Sequence, residues 1–456
     1  AEHNRVLADM QSMMTLVNGE FVDVHGNVWS GEYLFQAAKL VTEMEYQHLV
    51  FGEFVRKLSP NITPFGVYDV TLNPAITAEF AHAVYRFGHS MLNEMVDLKG
   101  FDPVTGLANG VDNSIGLIEA FLNPVAYTET TAGEFAIGGS QQVGNGIDVW
   151  VTDALRNNLV GLPLDLATLN IVRGRDTGML SLNGVRADLF AQTGNTGLKP
   201  YDSWLDFKSK MVHEETLVNF VMAYSRDTVL TMFGETPAGK TGTGDAGAFT
   251  IAQWDALRDS SDTADHVLYA DGLRAAGEAA IKDGAFMEYD QGINAVDFWL
   301  GGLAEAKVPG GMLGSTFDFI FAMQMIELQN SDRFYYLNRL GGTNLLAEIE
   351  AQLFSDLVMR STGVENLYKD IFSVADATLE MSAPTDKVFQ FRMDLENARV
   401  TATDIHGVQQ QLGTAGWVYS AATGWTFYGN QGDYLDARGV LNANGTGNAS
   451  EVIGGT

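Results

Sequence analysis

Apolar residues recur every three or four positions through SGEYLFQAAKLVTEMEYQHLVFGEFVRKL (30–58) and again through HEETLVNFVMAYSRDTVLTMF (213–233). That period matches a helix with one stripe turned to a core, so the spacing predicts long helices in both places and a mainly helical fold. From about Ala383 the pattern changes. Short alternating apolar pieces lie among Gly, Thr, Asn and Ser, as in GWVYSAATGWTFYGNQGDYLDARGVLNANGTGNASEVIGGT (416–456). Alternation bounded by turn residues predicts strands. The expected organisation is one large helical domain over 1–382 and a Gly/Asn/Thr-rich β/turn extension over 383–456.

Two segments concentrate the candidate chemistry: AHAVYRFGHSM (81–91) with His89, and LPLDLATLNIVRGRDTG (162–178) with Asn170. Each carries an arginine three residues from that group, Arg86 before His89 and Arg173 after Asn170, and residues three apart on a helix share a face. Antiparallel helices would set Asn170 opposite His89 and Arg173 opposite Arg86. A neutral imidazole is a proximal ligand for haem iron, and its second N–H needs an acceptor to fix tautomer and orientation. Asn170 offers an amide oxygen for that purpose. Two arginines suit two haem propionates, with charge-assisted hydrogen bonds of roughly 1.5–3 kcal/mol each when shielded from water.

These segments resemble the animal haem peroxidases of the peroxidase and cyclooxygenase superfamily, whose proximal helix reads like FRYGH and whose later helix reads like DLxxLNIxRGRDHG. AEHNRVLADM at the start is similar to that family's EHNR helix, residues 31–55 to the helix that follows it, and 296–336 to the segment running from a GGLxE turn to QFxxLRxGDRF. The resemblance implies a haem b peroxidase domain. His89 would be the iron ligand, Asn170 its hydrogen-bond partner, Arg86 and Arg173 the propionate contacts, and Phe87 a neighbour of the haem. Read from the RGRD motif alone, Arg173 and Arg175 could form a buried salt-bridge cluster with Asp176; both roles hold if Arg173 serves the haem and Arg175 is structural. Thr177, where His is frequent, and Leu182, where an aromatic is frequent, depart from the family pattern and are read as packing changes.

Members of this family cleave the O–O bond with a distal histidine and a distal arginine, which is acid–base and electrostatic catalysis. Both are expected N-terminal to the EHNR block, as is a calcium-binding loop. No residue here takes their place, since His3 sits inside that block, where the family uses it structurally. A fold of this type without its distal helix would leave an apolar groove open. The expectation is that an N-terminal fragment or a second chain completes the pocket; the alternative is a catalytically inactive extracellular scaffold or adhesion module. The implied activity is oxidation of small electron donors, such as halides or phenols, by hydrogen peroxide. Fatty-acid oxygenation would need a tyrosine radical beside the haem, and nothing singles out a tyrosine for it.

The chain has 456 residues and 46% hydrophobic content, enough for a substantial core. Its 27 basic and 57 acidic residues give a net charge of −30, which argues against nucleic acid or an anionic membrane as partner. Cysteine is absent, so disulfides, thiolate ligation and iron–sulfur clusters are excluded. No run of about 18 apolar residues predicts a membrane span. GNQGDYLDARG (429–439) looks like a degenerate calcium-binding nonapeptide repeat; with it comes the expectation of a bacterial exported or cell-surface protein. GETPAGKT (234–241) satisfies a phosphate-loop pattern but is followed by GTGDAGAFT, with a helix expected only near Ile251. It reads as a surface loop. His82 lies seven residues before His89, about 10 Å away along a helix, too far to share one iron.

Overall fold

The computed structural model describes residues 2–121, 123–127, 131–159, 162–290, 292–365 and 367–373, and the backbone of six strands beyond them. The chain divides into two compact units, one made of 1–53, 95–143 and 340–456, the other of 54–94 and 144–339. The second unit thus interrupts the first. This division by contacts runs differently from the expected 1–382 and 383–456.

In the first unit the helices Glu2–Ser12 and Gly31–Leu49 pack together. Ser30 caps the longer helix by accepting from the Tyr33 N–H, which satisfies an otherwise orphan donor. The EHNR block is structural, as expected of His3. Glu2 is buried and takes Arg5 (2.5 Å) and Arg360 (3.3 Å), while the His3 ring lies 4.9 Å from Phe35. At Gly138 a Cβ would stand 2.0 Å from the carbonyl oxygen of Asp97. Only glycine lets the Thr131–Gln141 helix approach so closely. The strands begin six residues before the expected boundary: Ala377–Ser382 is the first of a four-stranded antiparallel sheet, and a separate hairpin pairs Trp417–Ser420 with Gly424–Phe427. Beyond that boundary, strands appear where alternation predicted them. The repeat candidate 429–439 lies outside the described residues.

The second unit is helical around Trp204, Phe207, Trp254, Phe286, Phe317 and Phe321, all nearly inaccessible. The periodic run 213–233 is not one helix but two, Leu217–Tyr224 and Arg226–Phe233, broken at Ser225. Arg226 leaves the apolar stripe there to pair with Asp255 at 2.6 Å and to reach the Tyr269 hydroxyl at 2.7 Å. The phosphate-loop pattern fails as expected: Lys240 pairs with Asp265 at 2.6 Å, and the next α-helix is Ile251–Arg258. Among the described residues no helix is long and apolar enough to cross a membrane.

A seven-residue helix, Phe298–Ala304, organises this unit. A Cβ at Gly302 would stand 2.1 Å from the Phe317 ring and one at Gly301 2.7 Å from Leu182, so the paired glycines let it sink between its neighbours. Leu182, 1% exposed, fills that contact. The Glu305 carboxylate ends the helix in a buried network. Its Oε1 accepts from Arg186 (2.8 Å), the Tyr201 hydroxyl (2.9 Å) and the Thr316 hydroxyl (2.6 Å), and its Oε2 accepts from the Thr316 N–H (2.7 Å).

Candidate haem site

The segment around His89 is not the continuous α-helix that the spacing predicts. An α-helix, Ala78–His82, ends at Ala83, whose backbone (φ −133°, ψ −65°) breaks it, and a 3-10 turn runs Val84–His89. His82 and His89 therefore share no helix face. The tighter turn sets residues three apart nearly over one another, which aligns Arg86 with His89 more closely than an α-helix would. Asn170 sits in the Leu166–Asp176 helix, capped by the Asp165 carboxylate, which accepts from the Thr168 N–H. It is 1% exposed.

The two segments meet as the pairing requires. Asn170 Nδ2 lies 2.8 Å from His89 Nδ1, and Arg86 Nη1 donates to Asn170 Oδ1 at 3.3 Å. The amide polarity is opposite to the one expected from the sequence, where the oxygen faced the imidazole. Arg86 carries only donors, so it draws the oxygen to itself and leaves the amide nitrogen for an unprotonated Nδ1. Ligation through Nε2 requires the proton on Nδ1; a half-turn of the amide then presents its oxygen to Nδ1–H and releases Arg86 Nη1 from Asn170.

Burial, and then the Arg86 charge, hold the His89 imidazole below its ordinary pKa of 6.5, against the opposing hydrogen bond from Asn170. The ring is thus neutral at pH 7, the form that ligates a metal. Because the unfolded chain takes up this proton at higher pH than the folded one, the associated stability is present above about pH 6.5 and is lost as pH falls through the folded value. Urea midpoints measured from pH 7 to pH 5 should therefore fall more steeply for the natural chain than for His89→Gln. Parallel profiles would show that the imidazole is not held neutral.

The guanidinium of Arg86 is also pushed down, by burial and then by the neighbouring charge of Arg173. Its other contacts are to backbone: Nε donates to the Ala81 carbonyl (3.2 Å), and the Trp299 indole donates to the Arg86 carbonyl (3.3 Å). Arg173 is exposed, and among the described residues its side chain has neither hydrogen bond nor ion pair. Two cations close enough to repel, with no carboxylate between them, suit an anionic ligand. Phe87 turns its ring into the core, edge-on to Phe321 at 6.0 Å. Arg175 pairs through both nitrogens with Asp297 (2.8 and 2.6 Å), not with the exposed Asp176. The Tyr224 hydroxyl donates to the same carboxylate at 2.7 Å.

The donor set fits a haem. His89 Nε2 has no hydrogen-bond partner among the described residues, a Cβ built at Gly88 would meet nothing within 4 Å, and Leu169 and Val172 are exposed on the helix that carries Asn170. An unengaged imidazole nitrogen, open apolar side chains and two cations are what an amphipathic dianionic macrocycle requires. Residues 1–260 and 280–372 match the profile of the animal haem peroxidases. The chain belongs to the animal haem peroxidase family. It is 24% identical over 349 residues to the peroxidase mlt-7 of Caenorhabditis elegans, covering 74% of this chain and 35% of that protein. It is 26% identical over 336 residues to a peroxidase-like protein of Margaritifera margaritifera, covering 68% and 33%. The chain thus spans about a third of the length of these relatives. In fold it is similar to peroxidase A of Dictyostelium discoideum, with a TM-score of 0.51 and 19% identity over 81% of this chain and 55% of that one.

Three further residues build the site. Asp297 ties down the helix of Asn170, Trp299 the turn of Arg86, and Glu305 the far end of the helix between them. All three lie in VDFWLGGLAE (296–305). Glu305 is the glutamate of the GGLxE turn already visible in the sequence, whereas Asp297 and Trp299 showed only as polar or indole-bearing residues inside an otherwise apolar run.

Proposed function

We propose that this chain is the haem-carrying core of a peroxidase that oxidises small electron donors with hydrogen peroxide. The observation that carries the proposal is the 2.8 Å pairing of Asn170 with His89 beside Arg86. His89 Nε2 would be the axial ligand, Asn170 would hold Nδ1, and Arg86 and Arg173 would take the propionates. Bound haem b supplies the redox centre at which peroxide is reduced and the donor oxidised. The chain's own part is to keep the imidazole neutral, to fix its plane through the Asn170 amide with its oxygen turned to Nδ1–H, and to neutralise two carboxylates. An amide donates less electron density through the imidazole than a carboxylate would, which leaves the iron easier to reduce. The acid–base residues of the opposite face are proposed to come from a segment or partner outside these 456 residues, and the setting is proposed to be extracellular. Among the described residues no cluster of three His, Asp or Glu side chains would hold a metal ion.

Titration of the full chain with haemin should give a saturable Soret band at one equivalent, and guaiacol oxidation on adding peroxide once the completing segment is present. Protein that stays colourless would overturn the proposal and favour a scaffold. A pigmented protein that remains inert with the completing segment present would leave a haem binder that is not a peroxidase. Asn170→Asp should lower the iron's reduction potential, because a carboxylate makes the imidazole more anionic. A potential that rises would contradict the proposed link.

A further inference from the structure

A cavity lies in the unit formed by 54–94 and 144–339, along the Ser315–Ser331 helix. It measures about 630 Å³ and is open to solvent, a size ordinary for a small-molecule site. Asp318, Phe319, Ala322, Met323 and Ile326 line it, and their spacing of one, four, five and eight residues puts them on one helix face. The face is apolar except at its ends. Phe317 and Phe321, which pack on Phe298 and Phe87, are not among the lining residues, so the haem site and this cavity use different sides of the helix.

The Asp318 carboxylate is 3% exposed. Its Oδ2 accepts from Asn61 Nδ2 at 2.6 Å, Oδ1 is buried with no partner among the described residues, and the residue itself lines the cavity. A buried charge left half-satisfied is costly and calls for a donor, best of all a cation. A place in the first turn of the helix favours the negative charge but brings no hydrogen to Oδ1. No lysine, arginine or histidine lines the cavity, and the one other ionisable lining residue, Glu327, is also acidic.

We propose that this cavity binds a small primary-amine amphiphile, with the ammonium group on Asp318 and the hydrocarbon body along Phe319, Ala322, Met323 and Ile326. From residue 318 to 326 the helix rises about 12 Å, which accommodates a chain of roughly six to eight carbons. Carboxylates repel an anionic head, so fatty acids are excluded. The site stands independently of the haem proposal.

Isothermal titration of the full chain with hexylammonium chloride, hexan-1-ol and sodium hexanoate at matched ionic strength tests this. Hexylammonium should bind one to one, hexanol at least tenfold more weakly, and hexanoate not measurably. Asp318→Asn should weaken hexylammonium tenfold or more while leaving hexanol unchanged, and Ala322→Phe, which fills the cavity, should remove both. Should Asp318→Asn not fold, the three probes and Ala322→Phe still decide. The proposal is overturned if no probe binds, if hexanoate matches hexylammonium, if Asp318→Asn binds hexylammonium as the natural chain does, or if calcium chloride occupies the site and excludes the amine.

Discussion

Replacing His89 by alanine leaves a folded chain that no longer takes up haem in one-to-one fashion. The imidazole is only half-buried, so its loss costs little stability; its one side-chain hydrogen bond, to Asn170, is worth about 1 kcal/mol. For the pigment the loss is severe. Residues that merely orient a metal ligand are worth about 10–100-fold in affinity, so removing the ligand itself should reach at least the upper end of that range. The measurement is a haemin titration followed at the Soret band, with Asn170→Ala as the orienting comparison and added imidazole as rescue. Asn170→Ala should weaken binding by about 10–100-fold, and imidazole should restore the His89→Ala band. An unaltered spectrum in His89→Ala would remove the ligand assignment.

The largest effect on stability is expected at Arg186 and Glu305. Their side chains are 4% and 1% exposed, and the guanidinium also donates to the Lys199 and Gly197 carbonyls at 2.8 Å and lies 4.2 Å above the Tyr201 ring. Burial next to Glu305 also pushes the Tyr201 phenol well above its ordinary range. Removing one member strands the other without water, so Arg186→Met and Glu305→Gln should each cost about 3–5 kcal/mol in urea unfolding. The double variant Arg186→Met with Glu305→Leu should recover much of this, because a buried ion pair commonly balances an apolar pair of similar volume. If each single substitution cost less than about 1 kcal/mol, as at surface pairs, the network would not be holding the helix end.

The sequence carried the identity of the site better than its shape. His89, Asn170, Arg86 and Arg173 could be named because their residue types and three-residue offsets match one kind of chemistry. That His89 ends a 3-10 turn was not readable, since the break at Ala83 falls in a run, AHAVYRF, of adequate helix formers. The polarity of the Asn170 amide was equally hidden. It depends on Arg86 reaching back across 84 residues, and local pattern is silent about such distances. Arg175 was paired with its neighbour Asp176 on proximity in sequence, whereas tertiary packing delivers Asp297 from 122 positions away. The long periodic run 213–233 concealed its break because the polar stretch Ser225–Thr228 is about one helical turn, and the apolar spacing resumes beyond it.

One short stretch sets the terms on which this pocket could be rebuilt elsewhere. Because Asp297–Glu305 holds the asparagine's helix at one end, the arginine's turn in the middle and the buried ion pair at the other, copying the imidazole and amide onto a new scaffold would transfer the ligands without the frame that aligns them. The smallest portable unit is a three-part graft, and its weakest seam would be the two glycines.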